Sequence, residues 1–194
     1  MQGRQLMLAE KGRLSIRKLM DCESDYRLLY KWLNNEVVQE YYEGKSVKHT
    51  LKEIYDEYRP RAIGEDYVQS CIIVYGNESI GYLQFYQLQS EEIEAYGAAR
   101  NEQVYGIDLF IGEPTYWNKG VGTEVIKLTV DFLFSKIGVH EIFIDPQTWN
   151  ERAIACYAKC GFQKVKVLPK RELHDGEYKD NQIMRITLGE FKGN

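Results

Sequence analysis

Polar and apolar residues alternate along Leu14-Ser-Ile-Arg-Lys-Leu19, the two-residue period of a first strand. The period then lengthens. Tyr26 to Leu33 carries apolar residues near helical spacing, with Asp21 or Ser24 as N-cap and Asn34-Asn35 as the stop. Glu36 to Tyr42 ends in aromatics and Gly44 breaks it. Thr50 caps a helix from Leu51 to Tyr58, which Pro60 is expected to stop. Val68 to Val74 and Ser79 to Leu88 read as strands joined by a hairpin turn at Gly76-Asn77-Glu78. A polar, acidic loop, Gln89 to Gln103, leads to a strand-like run, Val104 to Ile111. A glycine-containing loop follows, and then a helical run from Glu124 to Ser135. His140 to Asp145 is a further strand. Asn150 caps a helix from Glu151 to Lys159, and Gly161 fits its C′ position. Phe162 to Leu168 and Gln182 to Leu188 are the last strands, with a charged loop, Pro169 to Asn181, between them.

Hairpin-joined strands followed by strand–helix–strand–helix–strand predict a mixed sheet covered by helices. The fold class is α/β (α+β), with a mostly antiparallel central sheet. No repeat, low-complexity stretch or long linker divides the chain. The expectation is a polar N-terminal extension over residues 1–12, open to disorder, and one domain over 13–194.

Composition narrows the function. A net charge of −4 lacks the basic footprint of general nucleic-acid binding, and no apolar run is long enough to span a membrane. Residues 1–12 carry no signal-peptide core, so a cytoplasmic protein is expected. Cys22, Cys71, Cys156 and Cys160 form no Cys-x-x-Cys pair. Cys156 and Cys160 share a helix face, half of a possible metal site, but the three histidines are scattered and no metal is expected.

The chemistry centres on Tyr116-Trp-Asn-Lys-Gly-Val-Gly-Thr123. Strand, glycine loop and helix aim partnerless first-turn amides at one spot, the arrangement that binds phosphate. Gly120 and Gly122 let an anion approach bare backbone, and Lys119 adds a point charge. The loop is neither a Walker loop nor a complete dinucleotide fingerprint, so alone it is equally a plain turn.

A second block, about thirty residues on, is Asp145-Pro146 … Asn150-Glu-Arg-Ala-Ile-Ala-Cys-Tyr157-Ala-Lys-Cys-Gly161-Phe162. Together the blocks resemble the GCN5-related N-acetyltransferase (GNAT) superfamily. Trp32-Leu-Asn, Ile80-Gly-Tyr-Leu-Gln84, Tyr105-Gly-Ile-Asp108, the run Phe110 to Thr123, Leu168-Pro169 and Glu172-Leu-His-Asp-Gly176 extend the match over about residues 14 to 188. They are similar to the aminoglycoside 6′-N-acetyltransferase branch, including the acetyltransferase half of a bifunctional resistance enzyme. Where the family opens its loop with Gln or Arg, this chain has Trp117.

The resemblance implies acetyl-coenzyme A as co-substrate and a central strand splayed from its neighbour. Trp117, Lys119, Gly120, Val121, Gly122 and Thr123 would hold the pyrophosphate. Amides near Leu109, Phe110 and Ile111 would pair with the pantetheine and the thioester oxygen. Asn150, Ala153 and Tyr157 would flank the pantetheine. Asp108 lies in an apolar strand, where a carboxylate is costly unless paired, exposed or functional; the resemblance makes it the acid that orients the amine and takes its proton. Tyr157 is either a core aromatic or, by resemblance, the general acid for the thiolate. Asn150 also reads as a plain N-cap.

Between Glu91 and Glu113 six acidic residues, including Glu102, face one basic residue, Arg100. Such carboxylates among tyrosines suit a polycationic aminoglycoside and hasten its arrival. By family position Tyr42, Tyr58, Tyr96, Asp66, Asp108 and Asp145 are the substrate residues. The alternatives are a GNAT acetylating another amine (a protein N-terminus, a ribosomal protein or a polyamine) and a non-catalytic acyl-coenzyme A-binding module. The sequence does not choose between monomer and homodimer.

Overall fold

The structure is a computed structural model that describes residues 6–99 and 103–191. The expectations for Arg100 and Glu102, and for residues 1–5 of the extension, fall outside those residues.

Among the described residues, eight strands form one sheet: β1 (Met7–Lys11), β2 (Leu14–Lys18), β3 (Gln69–Tyr75), β4 (Glu78–Gln87), β5 (Val104–Ile111), β6 (Glu141–Ile144), β7 (Gln163–His174) and β8 (Glu177–Thr187). Their order is β1-β2-β3-β4-β5-β6-β8-β7. β5 and β6 run parallel, whereas β1–β2, β2–β3, β3–β4, β6–β8 and β7–β8 are antiparallel. The helices are α1 (Glu23–Leu33), α2 (Glu36–Gln39), α3 (Leu51–Ile63), α4 (Ser90–Tyr96), α5 (Val121–Phe132) and α6 (Glu151–Lys159). This is the mixed, mostly antiparallel sheet with helices that the pattern predicts. The chain divides into two compact units, Met1–Phe85 with Asp108–Val121, and Tyr86–Ile107 with Gly122–Asn194.

The first unit buries Leu29, Trp32, Leu33, Ile54, Tyr58, Ile72, Tyr82 and Phe110 in one cluster drawn from α1, α3, β3, β4 and β5. Each full apolar burial stabilises by roughly 1.5–3 kcal/mol. A bidentate ion pair, Arg17 with Asp25, ties β2 to α1. Close packing sets two glycines here, one against backbone and one against a side chain. A Cβ on Gly81 would meet the Phe110 carbonyl oxygen at 2.3 Å. One on Gly112 would lie 2.3 Å from Cγ of Trp32, whose side chain is fully buried. Gly112→Ala therefore overpacks the cluster and is expected to cost about 1–3 kcal/mol in urea unfolding. An unchanged midpoint would show that α1 yields at no cost.

In the second unit Leu88, Tyr96, Val104, Phe143 and Ile183 form a core under α4. β5–β6 pairing covers Val104↔Glu141 to Gly106↔Phe143 and goes no further, although β5 continues to Ile111. α5 passes into a π-helical turn, Leu133–Ile137, before Gly138 in the left-handed region.

Several expected boundaries are corrected. Met7–Lys11, expected to lie in the extension, is a strand paired antiparallel with β2, from Met7 opposite Arg17 through a bulge to Lys11 opposite Leu14. Cys22 holds the α1 N-cap position, and Asp25 turns inward to Arg17. Pro60 does not stop α3, which continues to Ile63 and closes on Gly64 at φ 81°. The Pro60 carbonyl accepts from Gly64 and Glu65, and Ile54 and Tyr58 bury the inner face, offsetting the lost amide. The polar stretch after Gln89 contains α4, where the Glu92 carboxylate accepts the Gln89 amide at 3.0 Å. The charged stretch Pro169 to Asn181 is mostly the β7–β8 hairpin, turning at Asp175-Gly176 with φ 50° and 81°. Its charges point to solvent from an edge strand, which is why it reads as loop.

Candidate active site

In the first unit Asp108 stands half-buried in β5, and Gln84 Nε2 donates to its Oδ2 at 2.8 Å. Gln84 Oε1 accepts from Tyr82 Oη at 2.8 Å and from Arg61 Nη1 at 3.3 Å. Tyr82 Oη lies 2.6 Å from Ser70 Oγ. Tyr42 packs its ring on Phe110 with centroids 4.7 Å apart. Burial pushes its hydroxyl well above the ordinary tyrosine range, and the nearby Tyr58, Tyr82, Asp108 and Glu43 add to this. Tyr58 is placed in the core, 1% exposed, edge-on to Tyr82 and under the Arg61 guanidinium. Asp66 accepts from the Val68 amide and lies 3.6 Å from Arg61. Tyr42 and Asp108 are thus electrostatic neighbours, Gln84 and Arg61 connect Asp108 to Asp66, and Tyr58 packs against the Arg61 guanidinium.

The loop after β5 is fastened at several points within this unit. The Glu113 amide donates to Ile80, and its carboxylate accepts from Trp32 Nε1 at 2.9 Å and pairs with Lys31. Tyr116 Oη donates to Glu78 at 2.6 Å. Trp117 Nε1 donates to the Ile111 carbonyl at 2.8 Å, and its ring meets Tyr41 edge-on. Trp117 therefore anchors the loop to the end of β5, a role that its departure from the family pattern did not suggest. Asn118 and Gly120 take left-handed φ of 59° and 81°. Lys119 and Gly120 are exposed, nothing stands within 4 Å of the Cβ position of Gly120, and Val121 begins α5. Open space over a bare glycine at the start of a helix fits a pyrophosphate. Leu109 and Ile111 are half-buried and Phe110 is packed in the core.

In the second unit Gly122 and Thr123 open α5 against α6. Thr123 Oγ1 is 3.4 Å from Cys156 Sγ, and Cys160 Sγ donates to the Thr123 carbonyl at 3.6 Å. The two cysteines serve this helix contact, and no cluster of three or more metal-ligand side chains exists among the described residues. Asn150 caps α6, its Oδ1 accepting from the Ala153 amide at 3.1 Å, as the sequence predicts. α6 buries no residue fully: Ala153, Ile154, Cys156 and Tyr157 form a half-open apolar stripe. The Tyr157 ring lies 6.2 Å from that of Phe162. Tyr96 is 3% exposed and donates to Asp145 Oδ2 at 2.9 Å. Burial and then the Asp145 charge push its hydroxyl up. Asn181 Nδ2 reaches the Asp145 carbonyl at 2.7 Å and Glu172 at 3.1 Å, and Arg171 lies over the Tyr96 ring.

Ser70 and Arg61 near Asp108, and Arg171 and Asn181 around Asp145, are not singled out by the sequence. Tyr82 and Gln84 fall in the Ile80-Gly-Tyr-Leu-Gln84 run and Glu172 opens the Glu172-Leu-His-Asp-Gly176 run, but neither run assigns them a role.

Comparison with known proteins agrees with the two sequence blocks. The acetyltransferase (GNAT) domain family matches residues 21–169. Aminoglycoside N(6′)-acetyltransferase type 1 of Klebsiella pneumoniae is 32% identical over 150 residues, 77% of this chain and 75% of that protein. A solved structure of AAC(6′)-Ib in complex with ribostamycin and coenzyme A is 27% identical, with a TM-score of 0.74, covering 93% of this chain and 96% of that one. Spermidine N-acetyltransferase from Vibrio cholerae, solved with coenzyme A and spermine, shares the fold at a TM-score of 0.75 and 20% identity, covering 93% of this chain and 98% of that one. With a family match over most of its length and both sequence blocks in their expected elements, the chain belongs to the GNAT family of acetyltransferases.

Proposed function

We propose that this acetyltransferase moves the acetyl group of acetyl-coenzyme A to the 6′-amine of aminoglycosides, in the bacterial cytoplasm, and so confers resistance. The observation that carries the reading is Asp108, a carboxylate held at a fixed oxygen in an otherwise apolar strand. The likeness to the Klebsiella protein supports the choice of acceptor.

Acetyl-coenzyme A, when bound, supplies the activated acetyl thioester. Lys119, Gly120, Val121, Gly122 and Thr123, with Trp117 bracing them, hold its pyrophosphate on main-chain amides. The half-open stripe of α6, with Asn150, Ala153 and Tyr157, takes the apolar arm. Amides of Leu109 to Ile111, past the last β5–β6 pair, donate to the acyl oxygen. Asp108 binds the acceptor ammonium and receives its proton, leaving the amine nucleophilic. Tyr157 Oη gives up a proton to the departing sulfur. In the first unit Tyr42 and Asp66 offer contacts to further amino and hydroxyl groups of the sugar, with Tyr58 packed beneath them; in the second Asp145 offers a carboxylate, and the buried Tyr96 orients it rather than meeting the sugar itself.

The polyamine acetyltransferase fold makes spermidine the second acceptor to test. Measured side by side, kcat/KM is expected to be highest for kanamycin and lower for spermidine and for a peptide N-terminus. A preference for spermidine would overturn the acceptor while leaving the acetyltransferase in place.

A further inference from the structure

The chain of donors in the first unit runs one way. Tyr82 Oη commits its proton to Gln84 Oε1 at 2.8 Å, so Ser70 Oγ is the donor in the 2.6 Å contact with Tyr82. Arg61 adds a second donor to Gln84 Oε1 at 3.3 Å. The far end of the same amide gives Nε2–H to Asp108 Oδ2 at 2.8 Å. Reversing the amide would set oxygen against carboxylate and NH₂ against guanidinium, so only one orientation is stable. Tyr82 and Ser70 are buried, 0% and 4% exposed. Arg61 is itself placed by Glu57 at 3.1 Å, Asp66 at 3.6 Å and the Tyr58 ring at 4.9 Å.

We infer that Gln84 is the positioning residue for the Asp108 carboxylate, a neutral relay that turns the buried Ser70–Tyr82–Arg61 donor set into one N–H on Oδ2. Its value for amine acetylation rests on the role proposed for Asp108; its effect on the carboxyl does not. Neutrality matters because a carboxylate at position 84 would face Asp108 at hydrogen-bond distance. The charged or titratable groups around this pair include, among the described residues, Arg61, Glu57 and Asp66 from α3 and the turn after it, Tyr42 and Glu43 after α2, Tyr58 from α3 and Tyr82 from β4.

The test compares Gln84→Glu, Gln84→Met and Tyr82→Phe in the full chain by the pH profile of kcat/KM for kanamycin. Gln84→Glu is expected to move the acid limb up by roughly one pH unit, because two facing carboxyls share a proton. Gln84→Met should move it the same way by less, through the lost donor, and Tyr82→Phe by less again. Structural damage alone would lower the rate at every pH and leave the limb in place. A ¹³C titration of the Asp108 carboxyl, assigned with Asp108→Asn, reads the same displacement without catalysis. If both Gln84 variants titrate there as the parent does, the inference is overturned. If the carboxyl moves while Asp108→Asn acetylates at the parent rate, the positioning stands and the proposed role of Asp108 falls.

Discussion

Asp108→Asn is expected to lower kcat/KM for an aminoglycoside amine by about 10²–10⁴-fold while leaving the urea midpoint near that of the parent. The substitution keeps the side-chain shape and an oxygen to accept from Gln84 Nε2, so the half-buried position in β5 survives. What it removes is the charge that holds the ammonium and the basic site that takes its proton. The rate should also lose its acid limb, since no carboxyl is left at this position to titrate. Tyr157→Phe is the companion variant. It deletes one hydroxyl from a half-exposed ring on α6 and should reduce kcat more than it raises KM. Asp108→Asn turning over at the parent rate would remove the carboxylate from the chemistry.

The largest stability effect is expected far from that chemistry, at Asp25. Its two oxygens meet Arg17 Nη1 at 2.6 Å and Nη2 at 2.9 Å, and Oδ2 also accepts the Met20 amide at 2.9 Å. The two side chains are 4% and 2% exposed. Removing one member of a buried pair strands the other charge without water, which typically costs about 3–5 kcal/mol. Against the roughly 5–15 kcal/mol that holds most domains together, Asp25→Ala should leave a barely stable protein. Urea unfolding of Asp25→Ala beside a double variant, Arg17→Leu with Asp25→Leu, separates the causes. The double variant should recover much of the loss, because no buried charge remains. A small loss in Asp25→Ala would mean that water reaches Arg17.

These two positions show how far the sequence is legible. Val104 to Ile111 and Glu151 to Lys159 lie where periodicity and the Asn150 and Gly161 caps put them, since local rules decide both. Asp108 stands out because a lone charge in an apolar strand needs a reason. Arg17 gives no such signal: in Leu14-Ser-Ile-Arg-Lys-Leu19 it looks like an outward polar position, yet it is 3% exposed because Asp25 comes from α1 to meet it. The β7–β8 hairpin was hidden for the opposite reason, since its exposed charges resemble loop composition although the Asp175-Gly176 turn and cross-strand bonds define it. The polar shell of Asp108 is legible only at Tyr82 and Gln84, which share one matched run. Ser70 and Arg61 join it through strand register and the continuation of α3 past Pro60, which no local pattern announces.

The most direct measurement is acetyl-coenzyme A turnover with kanamycin and with an otherwise identical analogue carrying a 6′-hydroxyl in place of the amine. Coenzyme A release with the amine and none with the hydroxyl compound, with the acetyl group found on the 6′-nitrogen, is the predicted result. Equal release with both, or acetylation at a different nitrogen, would contradict it.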